Sequence, residues 1–319
     1  MRSAERPVEL DGVSKSYPTG FWRRRVGVLS GLSFSVDRNE IVGFLGPNGA
    51  GKTTTIKILN HLALPDAGAV RVFGVEVGRR PELRRRIGFM PEQPYFYEYL
   101  TGEEFLRLCG HLCGLGRAET GRRIGEMLSR VGLAGAGRKT IRKYSKGMMQ
   151  RLGLAQALLH DPELVILDEP MSGLDPMGRM EVRNLIRDLK TAGKTVLFST
   201  HIVSDVETLC DRVVMIDRGR KVAEGSVEEL VGKGGVLYVE IVFSPVPPPS
   251  WLAAASLPPG AGMAQRDAYV LRAGNEEEAN RWIAAFRAAG AMVRSCSPVK
   301  KQLEDIFMER VGGEAVGGR

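Results

Sequence analysis

The sequence predicts an α/β domain followed by a small α+β domain. Three observations carry that prediction. Short runs dense in Val, Ile and Leu alternate with amphipathic stretches up to about residue 230. One such run leads straight into a glycine-rich loop and then a helix-like stretch. Near residues 225–235 the pattern changes and glycines gather.

The elements follow in order. Residues 7–17, 26–36 and 69–76 read as short half-buried strands of an antiparallel sheet, Ala69 to Phe73 most clearly. EIVGFL (40–45), LVILDE (164–169), KTVLFST (194–200) and RVVMID (212–217) suit strands of a sheet covered on both faces. Between Met180 and Leu189, apolar residues alternate with Arg183 and Arg187 at helical spacing. Residues 102–160 contain no strand pattern and read as consecutive helices, within a helical subdomain of about 94–160. The first domain is expected over 1–230 and the second over 231–319. Gly232, Gly234 and Gly235 read as the linker. Beyond it, 236–243, 268–273 and 291–296 read as strands, and Pro245 to Pro249 as a rigid loop. Ala279, Trp282, Ile283 and Phe286 share one helical face, and a last helix is expected from about Lys301 to Arg310. This second domain carries no nameable chemical motif.

Composition narrows the class. The 319 residues are 43% hydrophobic and 26% charged, enough to bury a core. Four cysteines exclude a disulfide scaffold. The N-terminus carries charge and Pro where a secretory signal needs an apolar stretch. The longest uncharged stretch, Ile241 to Gln265, holds six prolines and cannot be a membrane helix. A cytoplasmic chain is expected, with any membrane role supplied by a partner. The formal charge of +8 suits an anionic ligand without specifying one.

Gly46-Pro-Asn48-Gly49-Ala50-Gly51-Lys52-Thr53-Thr54 matches the phosphate-binding P-loop pattern. Its glycines let successive backbone N–H groups point at an anion, and the following helix adds the positive end of its dipole. Lys52 reaches the β- and γ-phosphates, and the Thr53 hydroxyl can ligate Mg²⁺. Downstream, LVILDEP ends an apolar strand in Asp168 and Glu169. Such an Asp holds Mg²⁺, and the adjacent Glu can act as general base toward water. Neighbouring strand residues face opposite ways, so the two acids can share one site only where the strand ends.

Four further stretches stand in order along the chain. They are Tyr17 in VSKSYP, YSKGMMQR (144–151) before a helix, MSGLDP (171–176), and His201 in STHI. With the P-loop and the acid pair, they make the chain similar to the ATP-binding subunit of an ABC transporter over about residues 7–230. The fold this implies is a P-loop NTPase core with an antiparallel β subdomain and a helical subdomain. Ser145 and Gly147 match the family signature LSGGQ, while Lys146 and Met148 depart from it. The resemblance implies that Tyr17 stacks on adenine. It also implies that Ser145 and Gly147 meet the γ-phosphate of a second subunit's ATP, that Asp175 is the D-loop acid, and that His201 senses the γ-phosphate. In IGFMPEQPYFY (87–97) the register puts the usual metal-ligating glutamine on Glu92, with Gln93 one residue late; either could serve.

The implied ligands are ATP and Mg²⁺. The implied partners are a second ATP-binding subunit, a copy or a paralogue, and a separate polytopic permease of the ABC-2 export type. That would hold the chain at the cytoplasmic face of the membrane, with Tyr95, Phe96, Tyr97 and Tyr99 as candidate contacts. No nucleic-acid partner is expected. The alternative is a soluble ABC-type ATPase acting on nucleic acid or ribosomes, but the Lys52–Ser145 interval shows no sustained heptads. An importer ATPase is a third possibility. Two signals are read as structural. Cys109, His111 and Cys113 lie on an apparent helix, with both thiols on a face shared by Phe105, Leu106 and Leu112, and make an incomplete metal set. The runs Arg23–Arg25 and Arg84–Arg86 read as solvated surface.

Overall fold

The computed structural model describes residues 5–19, 24–78, 81–232, 236–247, 250, 252, 262–265, 267–300 and 302–312. Arg23, Gly234, Gly235, Pro248, Pro249 and Lys301, used in the sequence reading, lie outside the described residues. Residues Glu228–Glu309 form a compact unit separate from the one that carries the phosphate loop.

The first unit is organised by a six-stranded sheet. Its strands are β3 (Ile41–Leu45), β6 (Ile87–Met90), β7 (Leu164–Asp168), β8 (Thr195–Thr200), β9 (Arg212–Asp217) and β10 (Arg220–Ser226). The order is β10-β9-β3-β8-β7-β6. All neighbours run parallel except β10, which is antiparallel to β9. Every residue of β3, β7 and β8 is buried. Cover on both faces is why these segments are continuous apolar runs. The C-terminal ends of β3, β7 and β8 carry Gly46, Glu169 and His201 as the next residues. Three chemical groups thus meet at one edge of the sheet.

An antiparallel sheet of β1 (Val8–Thr19), β2 (Arg24–Val36), β4 (Ala67–Val72) and β5 (Val75–Glu76) has the order β2-β1-β4-β5. Its apolar face, with Val8, Leu10, Leu32, Phe34 and Val72, shares one core with Phe44 and the helix α1 (Lys52–Leu59).

The helical subdomain contains α2 (Gly102–Leu112), α3 (Arg117–Arg130) and α4 (Lys146–Leu158). Thr101 and Glu104 start α2 with a reciprocal capping box. Glu104 N donates to Thr101 Oγ1 at 3.2 Å and Thr101 N to Glu104 Oε2 at 2.8 Å. Phe96 meets Phe105 edge-on at 5.0 Å, and Leu106, Ile124, Leu128 and Leu152 complete this core. Helices α5 (Pro176–Thr191) and α6 (Val203–Leu209) follow β7 and β8.

The second unit is a sheet of order β12-β13-β11-β14, from β11 (Val236–Ser244), β12 (Gly262–Gln265), β13 (Ala268–Ala273) and β14 (Met292–Lys300). It includes α7 (Val227–Gly232) near its start, α8 (Glu276–Ala288) and most of α9 (Leu303–Gly312). One face packs under α8, where Phe286 stacks on Phe243 at 4.1 Å among Val239, Ile241 and Leu271.

The structure departs from the sequence reading at identifiable places. β10 (RKVAEGS) has no apolar run and forms by pairing with β9 at the sheet's edge. β6 has four residues and β12 four, too short for a period to register. β14 extends to Lys300, past the expected end at 296. Leu112 is 76% exposed, so it does not share a buried face with the cysteines. Burial pushes the Cys109 thiol up to about 12 and raises that of Cys113, which keeps both as neutral packing groups. The arginine runs are engaged rather than merely solvated. Arg86 pairs with Glu163 at 2.6 Å and stacks on Phe73 at 3.7 Å, Arg84 reaches His61 at 3.1 Å, and Arg25 reaches Asp66 at 3.3 Å.

Thr101→Ala removes the side chain that caps α2. The expected loss is about 1 kcal/mol, seen as a fall of about 2–4 °C in the thermal midpoint. An unchanged midpoint would show that the capping box does not hold this subdomain.

Candidate functional site

The chain leaves β3 and turns through Gly46–Gly51 into α1. Gly49 and Gly51 have φ of 81° and 107°, which glycine adopts without strain. Gly51 is the N-cap of α1, no side chain caps it, and the first turn has no acid. The leading N–H groups and the positive end of the dipole are therefore left for an anion. Lys52 folds back over the loop. Its Nζ donates to the carbonyl of Gly46 at 2.8 Å and that of Pro47 at 3.2 Å. A Cβ on Gly46 would strike the Ile216 carbonyl, so the loop lies directly against β9. Ala50 is buried, and its carbonyl accepts the Gly219 N–H at 2.9 Å.

Strand β7 ends at Asp168, and Glu169 turns away with φ 49°. This left-handed conformation costs a non-glycine residue about 1–3 kcal/mol. It lets the two adjacent acids serve one site. Asp168 accepts hydrogen bonds from the Ser199 hydroxyl at 2.5 Å and from Thr53. Glu169 instead lies 3.4 Å from Lys52 Nζ, and both its oxygens are 3.1 Å from His201 Nδ1. Ser199, in register beside Asp168, also accepts the Glu169 N–H at 2.9 Å. Burial pushes the Asp168 carboxyl above the ordinary range. The Ser199 and Thr53 hydroxyls and Lys52 pull it back, and Glu169 adds to the rise.

Lys52, Glu169 and His201 border a cleft of about 420 Å³, lined by Val28, Asn48, Gly49, Gly51, Lys52, Thr53, Thr54, Glu92, Glu169, Ser172 and His201. Most of the phosphate-loop residues singled out in the sequence thus meet Glu169, His201 and Glu92, while Gly46, Ala50 and Asp168 are not among the lining residues. Gln93 is not among the lining residues. Tyr17 is not either; it lies opposite Val26 in the β1–β2 ladder, two residues before Val28. Ser145 and Gly147 stand away from this cleft, at the start of α4. There the Ser145 hydroxyl accepts the Met148 N–H at 3.3 Å. Asp175 caps α5, accepting from Gly178 N at 2.8 Å.

Four residues near the site went unnoticed in the sequence. Val28 and Ser172 line the cleft, Ser199 bonds Asp168, and Gln150 bonds the turn after Glu169. Ser172 lies inside the MSGLDP stretch, which was a usable signal. Ser199 lies inside STHI and Gln150 inside YSKGMMQR, but their partners follow from strand register and packing, as does the place of Val28, and those no local motif encodes.

The cleft can hold a polyphosphate by its N–H groups and Lys52. A hard divalent cation fits the donors present, a threonine hydroxyl already bonded to the Asp168 carboxylate with Glu92 on the wall. Mg²⁺ takes one or two carboxylates together with substrate phosphates. Glu169, next to His201, is placed to accept a proton from water.

Asp168 also allows a test of the electrostatics. Burial raises its pKa, so the ionised form costs folded-state stability above that pKa, and the cost shrinks as pH falls below it and is gone once pH is below the ordinary carboxylate value. Asp168→Asn should raise the thermal midpoint of the nucleotide-free chain at neutral pH and flatten its pH dependence. It should also weaken Mg²⁺-dependent nucleotide retention. A lower midpoint at neutral pH would contradict the burial argument.

Known proteins with this arrangement were found by sequence and by structure. A family model described as ABC transporter matches residues 29–172. The uncharacterized ABC transporter ATP-binding protein all4389 of Nostoc sp. (strain PCC 7120) is 41% identical over 317 residues, 95% of this chain and 89% of its own. The daunorubicin resistance ATP-binding protein DrrA3 of Streptomyces coeruleorubidus is 41% identical over 241 residues, 75% of this chain and 74% of its own. A dimeric structure of the ATP-binding cassette MJ0796 in a post-hydrolysis state, bound to ADP and Pi, aligns with a TM-score of 0.64. It is 25% identical, and the match covers 69% of this chain and 98% of that one. The chain therefore belongs to the ABC transporter family as an ATP-binding subunit, and it is an ABC-type ATPase.

Proposed function

We propose that two copies of this chain clamp ATP head to tail and drive export through a separate membrane protein. The observation that carries the reading is the division of the ATP-handling groups. Lys52, Glu169 and His201 meet in one cleft, while Ser145 and Gly147 stand outside it at the N-terminus of α4. A single copy therefore leaves its own signature without a phosphate, and a second copy supplies one. The dimer seen for MJ0796 supports this reading.

In the proposed cycle the nucleotide-free chain keeps Lys52 against Glu169, so each charge neutralises the other. Entering phosphates draw Lys52 away, and Glu169 is left to face water. Thr53, Asp168 and Glu92 would hold Mg²⁺, which when bound neutralises charge on the β- and γ-phosphates. Water attacks the γ-phosphorus while its proton passes to Glu169, the bond from that phosphorus to the bridging oxygen breaks to leave ADP and inorganic phosphate, and His201 orients the carboxylate. Tyr17, opposite Val26 on the strand that also carries Val28, supplies a face for adenine. Ser145 and Gly147 engage the partner's γ-phosphate until its release opens the pair.

Docking to a membrane protein is supported by exposed aromatic surface. Tyr95, Tyr97 and Tyr99 are 88%, 46% and 76% exposed and meet ring to ring, while Phe96 anchors the loop in the helical core. No helix among the described residues is long and apolar enough to cross a membrane. A separate permease would thus hold the chain at the cytoplasmic face. Resistance to daunorubicin, for which DrrA3 is named, is the kind of task an export motor serves. Between Lys52 and Ser145 the longest described helix has 14 residues, which favours a transporter subunit over an ATPase built around a long coiled coil.

Glu169→Gln tests the reaction. It should bind ATP, hydrolyse it about 10²–10⁴-fold more slowly, and accumulate as an ATP-bound dimer in size-exclusion chromatography. Normal turnover would remove Glu169 as the base. Replacing Tyr95, Tyr97 and Tyr99 together by Ala should preserve ATP binding and abolish co-purification with the membrane protein. Retained co-purification would place the docking surface elsewhere.

A further inference from the structure

We infer that Gln150 is a positioning residue for Glu169, through which the signature helix reports the partner's ATP to the chain's own general base. The inference rests on the roles given above to Glu169 and to the signature.

Gln150 is 4% exposed, on the inner face of α4. Its Nε2 donates to the carbonyl of Pro170 at 3.0 Å and to that of Glu169 at 3.4 Å. Both acceptors are carbonyls, so the amide nitrogen, not the oxygen, must face them. These carbonyls belong to the turn in which Glu169 holds its left-handed backbone, with φ 49°. A strained conformation persists only where the surroundings determine it from several sides. Here the Ser199 hydroxyl fixes the Glu169 N–H, and Gln150 fixes the carbonyl side of the same residue.

Gln150 lies five residues beyond Ser145, about 7.5 Å along one unbroken helix. The end of α4 that would meet the partner's phosphate is thus joined rigidly to the turn that aims the base. A second contact runs in parallel. Lys146 lies across Gly173, where an added Cβ would stand 2.5 Å from Nζ. Gly173 follows Ser172, which lines the chain's own cleft. Helix α4 therefore touches the cis site at Glu169–Pro170 and beside Ser172. A small shift of α4 when Ser145 engages phosphate would move the Glu169 carboxylate, while Lys52 and the phosphate loop stay in place.

The full-length chain with Gln150→Glu tests this. The substitution keeps the side chain's size and replaces the donating amide by an acceptor facing two carbonyls. The expected result is a fall in kcat of at least about tenfold with KM for ATP changed less than about twofold. An ATP-bound dimer should accumulate, as for Glu169→Gln. In the Glu169→Gln background, Gln150→Glu should cause no further loss of residual hydrolysis, because both act through one carboxylate. Gln150→Asn, whose amide is one methylene short of the carbonyls, repeats the assay should Gln150→Glu fail to fold by circular dichroism. Unchanged kcat in the folded variant, or losses that multiply in the double variant, would overturn the inference. If the unmodified chain itself neither hydrolyses ATP nor dimerises with it, the failure lies in the proposed function instead.

Discussion

A buried ion pair governs this structure. Lys52 and Glu169 are 6% and 7% exposed and stand 3.4 Å apart at the floor of the cleft. Each charge offsets part of the cost of burying the other, and stranding one member of such a pair costs about 3–5 kcal/mol. The pair sets what the rest of the fold must do. The phosphate loop must offer the Gly46 and Pro47 carbonyls to the ammonium. The strand β7 must end one residue before Glu169, and His201 must close the open side of the carboxylate. A polyanion that competes for Lys52 therefore does more than occupy space. It removes the counter-charge from a carboxylate, the group proposed above as the base.

Much of this was legible in the sequence because the relevant physics is local. β3, β7, β8 and β9 read as strands because a sheet covered on both faces needs unbroken apolar runs. The phosphate loop reads directly because its anion contacts come from consecutive backbone groups and one lysine. The strand end at Asp168 follows from the two acids that close it. Illegible parts depend on distant partners. Ser199 reaches Asp168 through parallel register, and Gln150 reaches Pro170 from another subdomain. β10 is a polar edge strand that exists because β9 offers a ladder. The left-handed turn at Glu169 has no glycine to announce it, because here the conformation is imposed by the surroundings.

Helix termini in this chain carry two duties. Ser145 and Asp175 each cap their own helix in the single chain. A capping hydroxyl at Ser145 also keeps the first turn of α4 regular, so its remaining N–H groups point outward in a fixed fan. The second unit is different in kind. Its core is a stack of Phe243 on Phe286 under one helix.

The solvent-facing tyrosines at 95, 97 and 99 have an implication for handling the protein. Three rings in one loop form a sticky patch that water wets poorly. When the subunit is overproduced without the membrane partner proposed to cover it, the patch will favour self-association and precipitation. Balanced co-expression should therefore improve yield more than any change of buffer.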